Sequence, residues 1–155
     1  MYRIQIRGLK NLNKAFEGTE KQLRRRLLRG LVKGANVIKR ASMLKTPVEF
    51  GNLVGSTYMV WTGGKASQPP QFNDESGVKD KLEEYFNNVL SAAKSDMLKK
   101  KNPSVEFGFG AFYGIYVHED LLANHKVGEA KFLEKAINEN MARIKSEVTD
   151  EAKKS

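Results

Sequence analysis

Residues 11–47 decide the fold, and they read NLNKAFEGTEKQLRRRLLRGLVKGANVIKRASMLKTP. Apolar residues recur in this stretch at spacings of three to four residues or of two helical turns. This pattern predicts one long amphipathic helix that ends at Pro47. The predicted buried stripe is Leu12, Phe16, Leu23, Leu27, Leu31, Ala35, Ile38 and Ser42. Gly30 and Gly34 lower the helix propensity, but their spacing would let another backbone approach this helix closely.

The same helix carries the excess positive charge of the chain. Residues 1–46 contain 13 Lys or Arg and 2 acidic residues, whereas residues 47–155 contain 14 and 16, so the net charge of +9 belongs to the first third. On a helical wheel, four of these cations share the flank opposite Leu31 and Ala35, namely Arg26, Arg29, Lys33 and Arg40. The predicted basic stripe is Arg24, Arg25, Arg26, Arg29, Lys33 and Arg40. It could bind nucleic-acid phosphates, remain a solvated face, or pair with acidic groups of a neighbouring subunit.

The rest of the chain predicts a small sheet and two more helices. Strands are expected at residues 2–7, 53–62 and 105–109, the last followed by a further strand at 113–119, and helices at 78–101 and from residue 131 onward. Residues 65–77 predict a flexible arm in which Phe72 either anchors a partner or belongs to the core. This order predicts an α+β fold in a single domain, residues 1–155. We expect a small, mostly antiparallel sheet with helices on one face, on which the long N-terminal helix and the C-terminal helix pack, and an inserted helical segment at about residues 65–102.

The sequence offers little for catalysis. It contains no cysteine, which excludes disulfides, thiolate metal sites and cysteine nucleophiles. His118, Glu119, Asp120 and His125 form the one cluster that suggests metal or acid–base chemistry, but the seven-residue spacing of the histidines does not fit a zinc-protease helix. We therefore expect no catalytic residue, metal ion, cofactor or enzymatic activity. No stretch approaches about 18 consecutive apolar residues, so we expect no membrane contact.

Four segments stand out by their order and spacing. Residues 6–12 read IRGLKNL, residues 46–56 TPVEFGNLVGS, residues 113–119 YGIYVHE and residues 128–136 GEAKFLEKA. Together they resemble the gene-product-ten-like putative tail-component family of long-tailed bacteriophages, with its patterns G-L-x-x-L, P-x-x-x-G-x-L-x-x-S, Y-A-x-x-V-x-E in a strand and K-F-L-x-x-A at a helix start. The residues that match, mostly fold-determining positions, are Gly8, Leu9, Pro47, Gly51, Leu53, Ser56, Tyr113, Tyr116, Val117, Glu119, Lys131, Phe132, Leu133 and Ala136.

The resemblance implies a neck or tail-completion protein, which is a non-enzymatic subunit of a homo-oligomeric ring joining the DNA-filled head to the tail. The implied partners are neighbouring connector and tail-terminator or tail-tube proteins, with a non-specific contact to DNA in the channel. The implied location is the virion neck or proximal tail end, and the host cytoplasm during assembly. One departure from the family is that Glu119 is followed by Asp120, Leu121 and Leu122 and not by a glycine-containing turn. The alternative is a non-specific nucleic-acid-binding module that uses the basic N-terminal helix.

Overall fold

The structure is a computed structural model that describes residues 3–7, 20–68, 70–74 and 77–154. Gly8, Leu9 and the predicted helical residues 11–19 lie outside the described residues. The elements in chain order are β1 (Arg3–Arg7), α1 (Glu20–Lys45), α2 (Asn52–Gly55), β2 (Thr57–Trp61), β3 (Lys65–Ala66), α3 (Lys79–Lys99), β4 (Ser104–Phe109), α4 (Gly114–Glu119) and α5 (Phe132–Ala152). The predicted α+β class, with long N-terminal and C-terminal helices, is confirmed.

Helix α1 follows its predicted apolar stripe. All the stripe residues from Leu23 to Ser42 are buried. The helix ends at Lys45, two residues before Pro47, because the residue that precedes a proline is unfavourable in α-helical conformation. The buried Thr46 hydroxyl donates to the Ser42 carbonyl over 2.6 Å, which satisfies one of the free carbonyls of the last turn.

The sheet is antiparallel throughout and has the strand order β1-β4-β2-β3. The predicted strand at residues 53–62 is shorter than expected, because residues 52–55 form the short helix α2. Gly51 has a left-handed φ of 79°, and the side-chain amide of Asn52 donates to the Asn73 carbonyl over 2.9 Å. Leu53 therefore lies buried in α2 and not at the start of a strand.

Helices cover both faces of the sheet, not one as predicted. Tyr58 in β2 lies 6.4 Å, between ring centroids, from Phe86 of α3. On the opposite face, Phe109 lies 5.0 Å from Phe132 of α5. All six β4 residues are buried, as are the first four of β2, and only a sheet covered on both sides buries successive residues in this way.

The segment 113–119 is a helix, and the predicted strand is wrong. The Tyr113 carbonyl accepts hydrogen bonds from the amides of Tyr116 and Val117, over 3.1 and 3.3 Å. Burial falls on Gly114 and His118, one helical turn apart. Between β4 and this helix, the Cα of Gly110 packs so closely on Phe86 that a Cβ would lie 2.6 Å from its ring.

Residues 65–77 are anchored at two points. Lys65 and Ala66 pair with the end of β2, and Phe72 is only 7% exposed, with its ring 5.7 Å from that of Phe86. The core alternative for Phe72 therefore holds, and its ring is not an exposed anchor. Helix α3 occupies Lys79–Lys99, close to the predicted 78–101. No helix in the described part of the chain is long and apolar enough to cross a bilayer.

Candidate functional site

The loop that leads into α5 is fastened to the end of α1. The Glu129 amide donates to the Lys45 carbonyl over 2.8 Å, and the Lys45 ammonium lies 3.0 Å from the carboxylates of both Glu129 and Glu139. Gly128, with φ of 84°, packs against Pro47 so closely that a Cβ would lie 2.4 Å from the Pro47 nitrogen. These contacts bring the 46–56 and 128–136 segments together.

The junction of α4 and α5 joins two more of the family-like residues. The Lys131 amide donates to the His118 carbonyl over 2.8 Å, and its ammonium forms an ion pair with Glu119. The His118 ring packs 4.8 Å from the ring of Phe132. Lys131 has a left-handed φ of 58°, which turns the chain into α5. Three of the four family-like segments, separated by up to about 80 residues of sequence, therefore meet at one end of the molecule.

A cleft of about 670 Å³ opens where these segments meet. Its walls are residues 47–53, Val78, Tyr113, Val117 and residues 124–127. Val48, Phe50 and Val127 line it and are 45%, 41% and 54% exposed. Burial, and secondarily the nearby Glu49 carboxylate, raises the pKa of Tyr113, so its hydroxyl is neutral at physiological pH. The cleft therefore presents apolar side chains to solvent, beside polar residues such as Glu49, Asn124 and Lys126. Sequence reasoning missed it, because no periodicity marks which apolar residues of an irregular loop remain exposed.

The two histidines lie in different surroundings. Burial, partly opposed by Glu119, lowers the pKa of His118, and its Nδ1 lies 2.8 Å from that carboxylate. His125 lies in a loop and lines the cleft, whereas His118 lies in α4. Across the described ranges, no group of three His, Cys, Asp or Glu side chains is placed to hold a metal ion.

Two cations of the predicted basic stripe form ion pairs with carboxylates of the described residues, and four do not. Arg24 pairs with Glu20 over 2.8 Å and donates to the Lys101 carbonyl over 2.7 Å. Lys33 forms an ion pair with the buried Glu151 of α5. The remaining four have no carboxylate within 4 Å among the residues that the structure describes: Arg25, Arg26, Arg29 and Arg40.

Glu151, the partner of Lys33, is a buried carboxylate that needs a cation beside it. The carboxyl group is 1% exposed and accepts hydrogen bonds from Lys154, over 2.5 Å, and from Lys33. These two bonds lower its pKa to about 2. Gly30 is adjacent to this pair, and a Cβ there would lie 2.8 Å from the Cα of Val148, so the predicted close approach of a second backbone at Gly30 is confirmed. The partner backbone is α5.

A second concavity, of about 640 Å³, runs between α1 and α5. We call it the α1–α5 groove. Its walls are Lys33, Asn36, Val37, Arg40, Ala41, Leu44, Asn140, Arg143 and Glu147. In the described ranges Arg40 and Arg143 have no carboxylate within 4 Å, and Glu147 is the acidic residue among the walls, so the cations of the groove outnumber its one carboxylate.

The other family-like residues divide between core and surface. Ser56, Leu133 and Ala136 are buried, whereas Tyr116 is 75% exposed. The chain matches no protein-family model, no curated protein and no solved structure at a significant level.

Proposed function

We propose that this chain is a structural subunit of the head–tail connector of a long-tailed bacteriophage, where it forms a homo-oligomeric ring and binds a neighbouring connector, tail-terminator or tail-tube protein. One observation carries the proposal: three of the four segments that resemble the tail-component family converge around the apolar cleft. The role is mechanical and requires no catalytic group.

The physical argument rests on exposed apolar side chains. Val48, Phe50 and Val127 line one cleft and are each about half exposed, and a docking protein would gain free energy by covering these apolar side chains. The cleft walls are fixed by the Lys45–Glu129 and Lys131–Glu119 ion pairs and by the Gly128–Pro47 contact. A site that is already ordered loses little conformational entropy when its partner docks.

Phage particles provide the test. Mass spectrometry of purified virions should detect the chain, and a deletion should leave filled heads and free tails that fail to join. Complementation with Phe50→Ser should restore joining poorly. Met141→Ser is the matched control, because Met141 is 40% exposed, like Phe50, but does not line the cleft. Absence of the chain from virions, with normal tail attachment in the deletion, would contradict the proposal.

A non-specific nucleic-acid-binding function is the second candidate. It is favoured by Arg25, Arg29 and Arg40, exposed arginines with no carboxylate within 4 Å in the described part of the chain. Such binding should weaken with salt, with a log–log slope of about −0.9 per neutralised phosphate on duplex DNA. Reversing these three charges should abolish it, and Lys33 should be left intact because it neutralises Glu151. Unchanged DNA binding by the triple variant excludes this candidate.

A further inference from the structure

We propose that the chain associates head to tail, with the exposed 120–122 tip of one copy seated in the α1–α5 groove of the next. The tip is the loop of Asp120, Leu121 and Leu122 that follows α4. This inference rests on the ring assembly proposed above and names the contact that would build it.

The tip has the two properties of a docking segment. Leu121 is 71% exposed and Leu122 is 95% exposed, which makes Leu122 the most exposed large apolar residue of the described chain. The Asp120 Oδ1 atom accepts hydrogen bonds from the amides of Leu122 and Ala123, both over 3.1 Å. This turn presents two leucines and a carboxylate together. No cation lies within 4 Å of the Asp120 carboxylate among the described residues, so its charge is available to a partner.

The α1–α5 groove has the complementary properties. Val37, Ala41 and Leu44 give it an apolar wall, and Leu44 is 83% exposed. Arg40 and Arg143 supply positive charge from the two helices that form it. An acidic segment that also carries leucines fits the apolar wall and the two arginines at once, because the leucines cover the wall while the carboxylate approaches the guanidinium groups.

The apolar wall favours a protein occupant over nucleic acid. Nucleic-acid phosphates would bind Arg40 and Arg143, but they would leave Leu44 and Val37 exposed to solvent or next to a charged phosphate. The tip and the groove are different surfaces of one chain, and the exposure of Leu122 shows that the tip does not occupy its own groove. Contact between two different surfaces is heterologous, and repeated heterologous contacts generate a ring when the rotation closes.

Disulfide trapping tests the contact directly, because the chain contains no cysteine. Full-length Leu122→Cys and Leu44→Cys proteins are mixed at high concentration and oxidised. The mixture should give a cross-linked heterodimer at least about ten-fold more abundantly than a mixture of Leu122→Cys with Leu98→Cys, since a disulfide forms only where the contact holds the two Cβ atoms about 4 Å apart. Leu98 is 67% exposed on α3, which covers the opposite face of the sheet.

Sedimentation of the unmodified chain and of further variants gives a second readout. Leu122→Ser should weaken self-association at least about ten-fold. Asp120→Asn keeps the Oδ1 acceptor of the turn and removes only the charge, so it should weaken association about two- to five-fold. Arg143→Glu should act in the same direction, while Arg25→Glu, on the same helix pair but outside the groove, should have no effect.

Several results would overturn the proposal. These are a chain that remains monomeric at the trapping concentration, Leu122→Cys homodimers in place of the heterodimer, or no excess over the Leu98→Cys control. Loss of duplex-DNA binding in Arg40→Glu and Arg143→Glu without any self-association would assign the groove to nucleic acid instead. Mass spectrometry of virions tests the proposed function separately from this contact. If the chain is found in virions but the two cysteine variants do not cross-link, the ring must form through another contact.

Discussion

Gly128 packs on Pro47 with no room for a side chain, because a Cβ at Gly128 would lie 2.4 Å from the Pro47 nitrogen. Its φ of 84° is also unfavourable for any residue with a Cβ. We predict that Gly128→Ala lowers the free energy of unfolding by at least about 2 kcal/mol. Gly55→Ala is the control, since its Cβ would meet only the Gln71 carbonyl at 3.9 Å. Equal denaturant midpoints for the two variants would show that Gly128 does not lock the loop to α1.

The packing of α1 on α5 predicts a cost at Gly30. A Cβ there would lie 2.8 Å from the Val148 Cα and 3.1 Å from its carbonyl oxygen, and backbone atoms cannot move aside without shifting α5. Overpacking of this kind costs about 1–3 kcal/mol, against a gain of about 1 kcal/mol in helix propensity. We therefore expect Gly30→Ala to destabilise the chain in urea unfolding. A stabilised variant would mean that the two helices separate more easily than their spacing indicates.

Glu151 predicts a dependence of stability on pH. Its pKa of about 2 in the folded chain lies below the ordinary value of 4.5, so its stabilising effect is complete above pH 4.5 and is lost as pH falls toward 2. The stability gap between the unmodified chain and Glu151→Gln should be constant from pH 6 to pH 8 and should narrow below about pH 4.5. Thermal unfolding at a series of pH values measures it.

The control for this titration is Glu84→Gln. Glu84 is exposed on α3 and has no cation within 4 Å in the described ranges. Its substitution should change the melting temperature little at any pH. A gap for Glu151→Gln that stays constant down to pH 2 would show that Lys33 and Lys154 do not hold the carboxylate ionised.

Phe72 and Phe50 should respond oppositely to truncation. Phe72 is 7% exposed and packs on Phe86, so Phe72→Ala should cost about 3–5 kcal/mol of stability. Phe50 is 41% exposed in the cleft, so Phe50→Ala should cost much less, about 1 kcal/mol or below. Chemical denaturation compares them. If Phe72→Ala lowers the free energy of unfolding only slightly, the Phe72 ring does not attach this segment to the core.

The sequence predicted the helices well because their apolar residues repeat over many turns. The stripe from Leu23 to Ser42 is buried as expected, and α3 lies within two residues of its predicted bounds. The pairing of Lys33 with Glu151 was not predictable, because it depends on how α5 lies across α1 and joins residues 118 positions apart.

The errors fall on short segments. Residues 113–119 contain β-branched and aromatic residues that favour a strand, and two turns of helix are too short for a 3.6-residue period to show. The expectation that helices cover one face also failed, since Tyr58, Met59 and Val60 are all buried and an unbroken apolar run does not reveal how many layers surround it. The apolar cleft and the 120–122 tip escaped prediction for a related reason, because exposure in loops is set by tertiary contacts.

The position of α3 bears on when this chain can assemble. By covering the face of the sheet that carries Tyr58, it completes the core from residues of the same chain. Folding therefore does not have to wait for a neighbouring subunit. In the connector proposed above, newly made copies would therefore reach their final shape first, and local copy number and the arrival of a template would time their incorporation.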